Sequence, residues 1–311
     1  MSTNKLTALL DGAAIGQPQT HANMTVYPLR VKNGHKRNYQ TLDEAMQAQT
    51  IEVLEVSEGG SVPNLKVRNT GSLPVLLVVG EELIGARQNR VLNTSLLVPA
   101  QKEIEVPVSC VERGRWAYNS RAFDTSTTSS HFKLRKAQVE KVTDNLRNRA
   151  VYDADQSAVW QEIDRKIHTT GSFSRTAALH DVYNQTEDDL KNYLAAFPPP
   201  EAEGVIVTIN GQIAGADLFD HSDTLRVLWP KLLRSYALDA LERRSSSEAA
   251  PEAAQPPDDV KQFLAAVQTA KDEHYDSVGL GEDVRLSNDH VTGSSLLWGD
   301  RVIHASLFNK A

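Results

Sequence analysis

The residues with the most chemical potential lie between Gly80 and Trp116, where Glu81, Glu82, Arg87, Gln88, Asn89 and Arg90 separate two strongly apolar strand patterns. The stretch closes on Ser109-Cys110-Val111-Glu112-Arg113-Gly114-Arg115-Trp116. Guanidinium and carboxylate groups gathered on adjacent strands make strong charge-assisted hydrogen bonds, which suits recognition of a small polar ligand. On this reading Glu81 accepts hydrogen bonds, and Gln88, Asn89 and Arg90 serve as the neighbouring ligand contacts. Glu112 and Arg115 meet the ligand at a strand end, and Trp116 stacks on a planar ring. The alternative for Glu81, Gln88 and Arg90 is an internal network pinning two strands, since buried polar groups need partners whether or not a ligand is bound. For Glu112 and Arg115 the alternative is a surface salt bridge, and for Trp116 a cover over the core edge. Regular strand spacing puts Gln88 and Arg90 on one face, with Glu81 of opposite parity unless a bulge at Gly85 resets it.

A reaction at such a site would use Glu81 or Glu112 as general base, with Arg90 or Arg115 stabilising developing negative charge. Cys110 is a candidate nucleophile, with Glu112 on its strand face to orient a histidine or a water. Inside Val106-Pro107-Val108-Ser109-Cys110-Val111 it reads better as a small buried hydrophobe. Asp217, Asp220, His221 and Asp223 form the densest acidic cluster and are weak candidates for oxygen ligation of a divalent metal. A helix start accounts for them better, because Asp is stabilised at the positive end of the helix dipole. No metal or cofactor is expected. The chain carries no G-x-x-x-x-G-K-[ST], G-x-S-x-G or H-E-x-x-H motif, and Gly279-Leu280-Gly281 lacks the third glycine of a dinucleotide fingerprint.

The elements that must position these residues are β-rich. Strands are predicted at Thr25 to Val31, Ile51 to Ser57, Leu65 to Asn69, Pro74 to Gly80, Glu82 to Gln88, Val91 to Val98 and Glu103 to Glu112. Turn residues at Asn33-Gly34, Gly59-Gly60, Asn69-Thr70-Gly71 and Pro99-Ala100 punctuate them, the spacing of an antiparallel sandwich or barrel. Thr41 and Glu44 make a capping box for a short helix to Gln47. A Ser/Thr-rich loop, Thr125 to Ser130, then leads to helices at Lys133 to Arg149, Asp155 to His168 and Thr176 to Ala195. After Gly204, Asn210-Gly211 marks a type I′ hairpin between Val205 and Ala216. A helix from Asp220 to Arg244 should be kinked or split by Pro230. Ser245 to Asp258 reads as a linker, Val260 to Lys271 as a helix, and the remainder as a meander completing the sheet of the hairpin. The fold class is α+β: an N-terminal antiparallel sandwich or barrel (24–120) behind an N-terminal extension (1–23), a helical middle (121–200), and a C-terminal hairpin, helix and meander (201–311) packed on it.

With 311 residues, 40% hydrophobic and 23% charged, the chain can bury a large core. A formal net charge of -7 argues against wholesale nucleic-acid binding. The basic stretch from Arg121 to Arg149, with seven Lys/Arg against three Asp/Glu, has few interleaved aromatics and reads as a solvated helix face. Leu6-Thr7-Ala8-Leu9-Leu10 is too short for a secretory leader and no stretch reaches membrane-span length, so no membrane is expected. One cysteine excludes an intrachain disulfide, and a cytoplasmic location is expected.

Gly80-Glu81-Glu82-Leu83-Ile84-Gly85-Ala86-Arg87-Gln88-Asn89-Arg90 and Val108 to Trp116 resemble the bacterial family named for association with ADP-ribosylglycohydrolases and the rhodanese/phosphatase superfamily. Ile209-Asn210-Gly211, Ala216-Asp217-Leu218-Phe219 and Leu228-Trp229-Pro230-Lys231-Leu232-Leu233 are similar to it too, so the resemblance covers most of the chain beyond residue 24. It implies a role near ADP-ribose or nucleotide metabolism and assigns neither a reaction nor catalytic residues. The leading expectation is therefore a cytoplasmic binding or accessory protein for a nucleotide-like or ADP-ribose-like ligand. A hydrolase of that ligand and a homo-oligomeric or partner-binding module are the alternatives.

Overall fold

The computed structural model describes residues 5–32, 35–57, 63–245 and 257–310, arranged as two compact units. The first unit comprises residues 1–37, 189–277 and 281–311, and the second residues 38–188 and 278–280. The chain opens with α1 (Lys5–Asp11), β1 (Ala14–Ile15), β2 (Gln19–His21) and β3 (Met24–Arg30). The second unit follows: β4 (Gln40–Thr41), α2 (Leu42–Gln47), β5 (Ile51–Glu55), β6 (Asn64–Asn69), β7 (Val75–Leu77), β8 (Glu81–Gly85), β9 (Arg90–Leu92), β10 (Leu96–Val98), β11 (Lys102–Cys110), β12 (Phe123–Ser129), α3 (Phe132–Arg149), α4 (Gln156–Thr170) and α5 (Leu179–Gln185). After α6 (Glu187–Ala196) come β13 (Gly204–Ile209), β14 (Gln212–Phe219), α7 (Ser222–Ser245), α8 (Pro257–Gln268), β15 (Lys271–Asp276), β16 (Glu282–Ser287), β17 (Val291–Trp298) and β18 (Arg301–Asn309). The fold is α+β.

In the second unit the strands close into a barrel in the order β11-β6-β5-β12-β8-β9, beside a small sheet β10-β7-β4. Alternate residues point inward, and Val53, Leu65, Val67, Leu83, Leu92, Val106 and Val108 fill a core with Leu42 and Ala45 of α2. The capping box forms as read: Thr41 Oγ1 accepts from the Glu44 N–H at 3.3 Å, and Glu44 Oε2 accepts from the Thr41 N–H at 2.8 Å. The stretch read as a Ser/Thr-rich loop is strand β12, whose buried hydroxyls are used by a buried carboxylate described below. The run Val91 to Val98 divides into β9 and β10, and the helix expected from Thr176 to Ala195 divides into α5 and α6.

The first unit is a nine-stranded antiparallel sheet with the main order β1-β3-β13-β14-β18-β17-β16-β15 and β2 paired to β3. Its core joins Leu6 and Leu10 of α1 and Val260, Phe263 and Val267 of α8 to one sheet face. Asn210 (φ 50°) and Gly211 (φ 74°) supply the two positive φ angles of the β13–β14 turn. β18 pairs with β14 and β17 with β18, so the terminal meander completes the hairpin's sheet. The strand expected at Thr25 to Val31 forms as β3, but its partner is β13 of the same sheet and not a barrel strand. Six apolar residues of the predicted α7 stripe, Leu225, Leu228, Trp229, Leu232, Leu233 and Tyr236, are all buried. Pro230 does not split α7; one helix runs through it, and burial of the flanking apolar residues offsets the lost hydrogen bond. The expected helix to Lys271 stops at Gln268, and Lys271 begins β15. The turns expected at Asn33-Gly34 and Gly59-Gly60, and most of the Ser245 to Asp258 linker, lie outside the described residues. No helix among the described residues is long and apolar enough to cross a membrane.

Candidate functional site

The polar residues around Gly80 to Trp116 separate into an interior network and a cleft. β8 ends at Gly85 (φ 120°), and Ala86 (φ 39°) starts a turn that delivers Arg90 opposite Leu83. Gln88 therefore sits in the turn and not on a strand face, and the parity argument does not reach it. Arg90 is fully buried, and its Nη1 donates to the Gln88 carbonyl at 3.1 Å and to Gln88 Oε1 at 3.2 Å. Cys110 Sγ donates to the same Oε1 at 3.2 Å, and Gln88 Nε2 donates to the Glu112 carbonyl at 2.9 Å. Glu81 is buried too, its Oε2 accepting from the Val78 N–H at 2.7 Å. Burial lowers the pKa of Arg90 and raises that of Cys110, which works against a thiolate. Glu81, Gln88, Cys110 and Nη1 of Arg90 are thus joined to the protein's own groups, while Nε and Nη2 of Arg90 are buried without a hydrogen-bond partner among the described residues.

Glu112 and Arg115 face a cleft of about 400 Å³ in the second unit, lined also by Asn89, Asn119, Ser120, Asp124, His180 and Asp181. Their pairing is bidentate: Arg115 Nε donates to Glu112 Oε1 at 2.9 Å and Nη2 to Oε2 at 2.6 Å. Arg115 also donates to the carbonyls of Ala86 (2.7 Å), Ala117 (3.0 Å) and Gly85 (3.3 Å), fastening the segment after Glu112 to the β8–β9 turn. Glu112 further accepts from the Asn89 N–H at 3.1 Å and from Thr176 Oγ1 at 3.2 Å. Trp116 is 47% exposed, with the Arg87 and Arg90 guanidinium carbons 5.6 and 6.0 Å from its ring centroid.

The group that sequence reasoning missed is a carboxylate–histidine pair. His180 Nδ1 lies 3.0 Å from Oε2 of Glu82, which is 1% exposed. Ser126 Oγ, at 3.0 Å, and Thr128 Oγ1 donate to the same oxygen from β12. With Glu82 ionised, Nδ1 carries the ring proton and Nε2 is the basic nitrogen. The pair is assembled from distant chain. The Leu179 N–H donates to the Val111 carbonyl at 3.0 Å, the Gly114 N–H to the Thr176 carbonyl at 2.7 Å, and Tyr183 Oη to the Ser129 carbonyl at 2.6 Å. These bonds hold the start of α5 beside Glu112 and β12. The hydrogen bond to Glu82 raises the pKa of His180 above 6.5, against the opposing effect of burial. Protonated His180 therefore stabilises the fold fully below its unfolded value near 6.5, and the contribution is lost as pH rises through the folded value. Urea denaturation across that range should show wild type losing its advantage over His180→Gln as pH increases; a constant difference would contradict the pairing.

The acidic cluster of the first unit disperses. Asp217 accepts from Tyr236 Oη at 2.8 Å and Ser306 Oγ at 3.0 Å, Asp220 lies 3.5 Å from Arg301, and His221 lies 3.4 Å from Asp223. Among the described residues no group of three or more His, Cys, Asp or Glu is placed to share a metal ion.

The sequence model of the ARG and rhodanese-phosphatase-superfamily-associated protein domain matches residues 12–308. The chain belongs to this family. The match spans the barrel and most of the sheet, so both units are parts of the ARG and rhodanese-phosphatase-superfamily-associated domain. No curated protein and no solved structure matches the chain.

Proposed function

We propose that this is a cytoplasmic binding protein whose cleft takes a small, hydroxyl-rich ligand of the nucleotide or ADP-ribose class, holding its ribose. The observation that carries this reading is the cleft lining: Asn89, Asn119, Ser120, Asp124, Asp181 and His180 surround a volume of about 400 Å³ suited to a small molecule. The Arg115 charge is compensated by Glu112, so the lining has no uncompensated arginine to favour phosphate and instead offers acceptors to hydroxyl groups. The family's recorded association with ARG, read as ADP-ribosylglycohydrolase, supports the same ligand class. Thermal-shift titration with ribose, adenosine and ADP-ribose tests it: ligand at about 100 times Kd adds roughly 2.7 kcal/mol. Asp181→Asn should weaken the shift. Silence toward all three ligands in wild type removes the reading.

A second reading, hydrolysis of the bound ligand, is favoured by the Glu82–His180 pair. Glu112 is committed to Arg115, Thr176 and Asn89, so His180 Nε2 takes the proton from water and Glu82 holds the ring in the required tautomer. His180→Gln should then abolish turnover while ligand still shifts the melting temperature; full turnover in that variant excludes the role.

A further inference from the structure

We infer that the segment from Arg115 to Ser120 is a stacking shelf that makes the cleft selective for a ligand carrying a planar, base-like ring. The inference rests on the cleft being the ligand site. Arg115, Asn119 and Ser120 line the cleft, while the intervening Trp116 and Tyr118 are 47% and 52% exposed. Trp and Tyr pair an apolar face with a polar tip, which suits rings that are partly wet and partly available to a binding partner.

Neither ring owes its exposure to a slack loop. Arg115 bonds the Ala117 carbonyl within the segment and the Ala86 and Gly85 carbonyls across from it. At the other end the Asn119 N–H donates to the Ala86 carbonyl at 2.8 Å, and Ser120 Oγ accepts from the Ala86 N–H at 2.8 Å. The segment is therefore clamped on both sides of its aromatic residues. Arg87, from the β8–β9 turn, sets its guanidinium carbon 4.2 Å from the Tyr118 centroid and 5.6 Å from that of Trp116. A cation lying over both rings holds them as neighbours and leaves aromatic surface open to water. Two preorganised rings flanked by cleft-lining residues suit one heteroaromatic ring system, because stacking needs a rigid face and little area. Ribose held in the cleft would place its attached base within reach of this shelf.

Calorimetric titration of adenosine and of ribose into wild type, Trp116→Ala, Tyr118→Ala and Trp116→Phe tests the inference. Stacking contributes about 1–3 kcal/mol per base, so adenosine should bind wild type roughly 5- to 150-fold more tightly than ribose. Trp116→Ala should remove most of that preference without changing the ribose affinity, and Trp116→Phe should keep much of it. Equal affinities for adenosine and ribose in wild type overturn the shelf and leave the cleft assignment standing. A preference that survives in both alanine variants overturns it as well. Failure of both ligands to bind wild type removes the cleft assignment and the shelf with it.

Discussion

Replacement of Arg115 by Ala is expected to lower the free energy of unfolding by about 2–3 kcal/mol, the cost of leaving the mostly buried Glu112 carboxylate without its charged donor. The side chains of Arg115 and Glu112 are 18% and 9% exposed, so water cannot fully take the place of the lost guanidinium. The same substitution removes donors from the Gly85, Ala86 and Ala117 carbonyls and from Asn89 Oδ1. Arg115→Lys should rescue little, since an ammonium group cannot reproduce the planar fork. Urea denaturation of wild type, Arg115→Ala, Glu112→Ala and the double variant gives the coupling directly. The double variant should lose clearly less than the sum of the single variants, by about 0.5–3 kcal/mol. A loss under about 1 kcal/mol in Arg115→Ala would reduce the pair to an ordinary surface salt bridge.

The second large effect is expected at Gly85. Its φ of 120° lies where only glycine is comfortable, and a Cβ there would come within 2.5 Å of Ser120 Oγ and 2.9 Å of the Ala122 carbonyl oxygen. Gly85→Ala should cost about 1–3 kcal/mol in backbone strain and roughly 1 kcal/mol more as Ser120 is pushed off the Ala86 N–H. Because Ser120 is part of the cleft wall, ligand affinity should fall with stability. Ser120→Ala separates the two contributions: it relieves the contact with Oγ but not the backbone strain. If the Gly85→Ala variant unfolds at the wild-type urea midpoint, the strain argument fails.

Local chemistry was legible in the sequence wherever a few adjacent residues determine the outcome. Thr41 with Glu44, and Asn210 with Gly211, carry their geometry in their own side chains and backbone preferences, and both form as expected. The β12 segment misled because serine and threonine are read as loop formers when exposed. Here Ser126 and Thr128 are buried and their hydroxyls donate to Glu82 Oε2, a partner the segment itself does not contain. Glu81 and Glu82 are neighbours, and nothing local says which turns toward α5. The answer depends on β12 and on His180, 98 residues away from Glu82. Glu112, Arg115 and Asn89 were recognisable as cleft residues by type, but the commitment of the guanidinium to Glu112 and three carbonyls is a property of the folded loop. The start of α5 carried one usable signal, the adjacent His180 and Asp181, which a reading of one long helix submerged.

The pairing of β3 with β13 has a consequence for the nascent chain. A ribosome delivers Met24–Arg30 before any of residues 38–188, and its central partner Gly204–Ile209 only after them. Through that interval β3 has only the short β1 and β2 beside it and lacks the neighbour that covers its other edge. An apolar strand with an open edge is the kind of segment that recruits other chains. The barrel, by contrast, has all of its strands as soon as β12 is made. Synthesis therefore completes the strands of the inserted unit before the leading strand of the sheet meets its central partner.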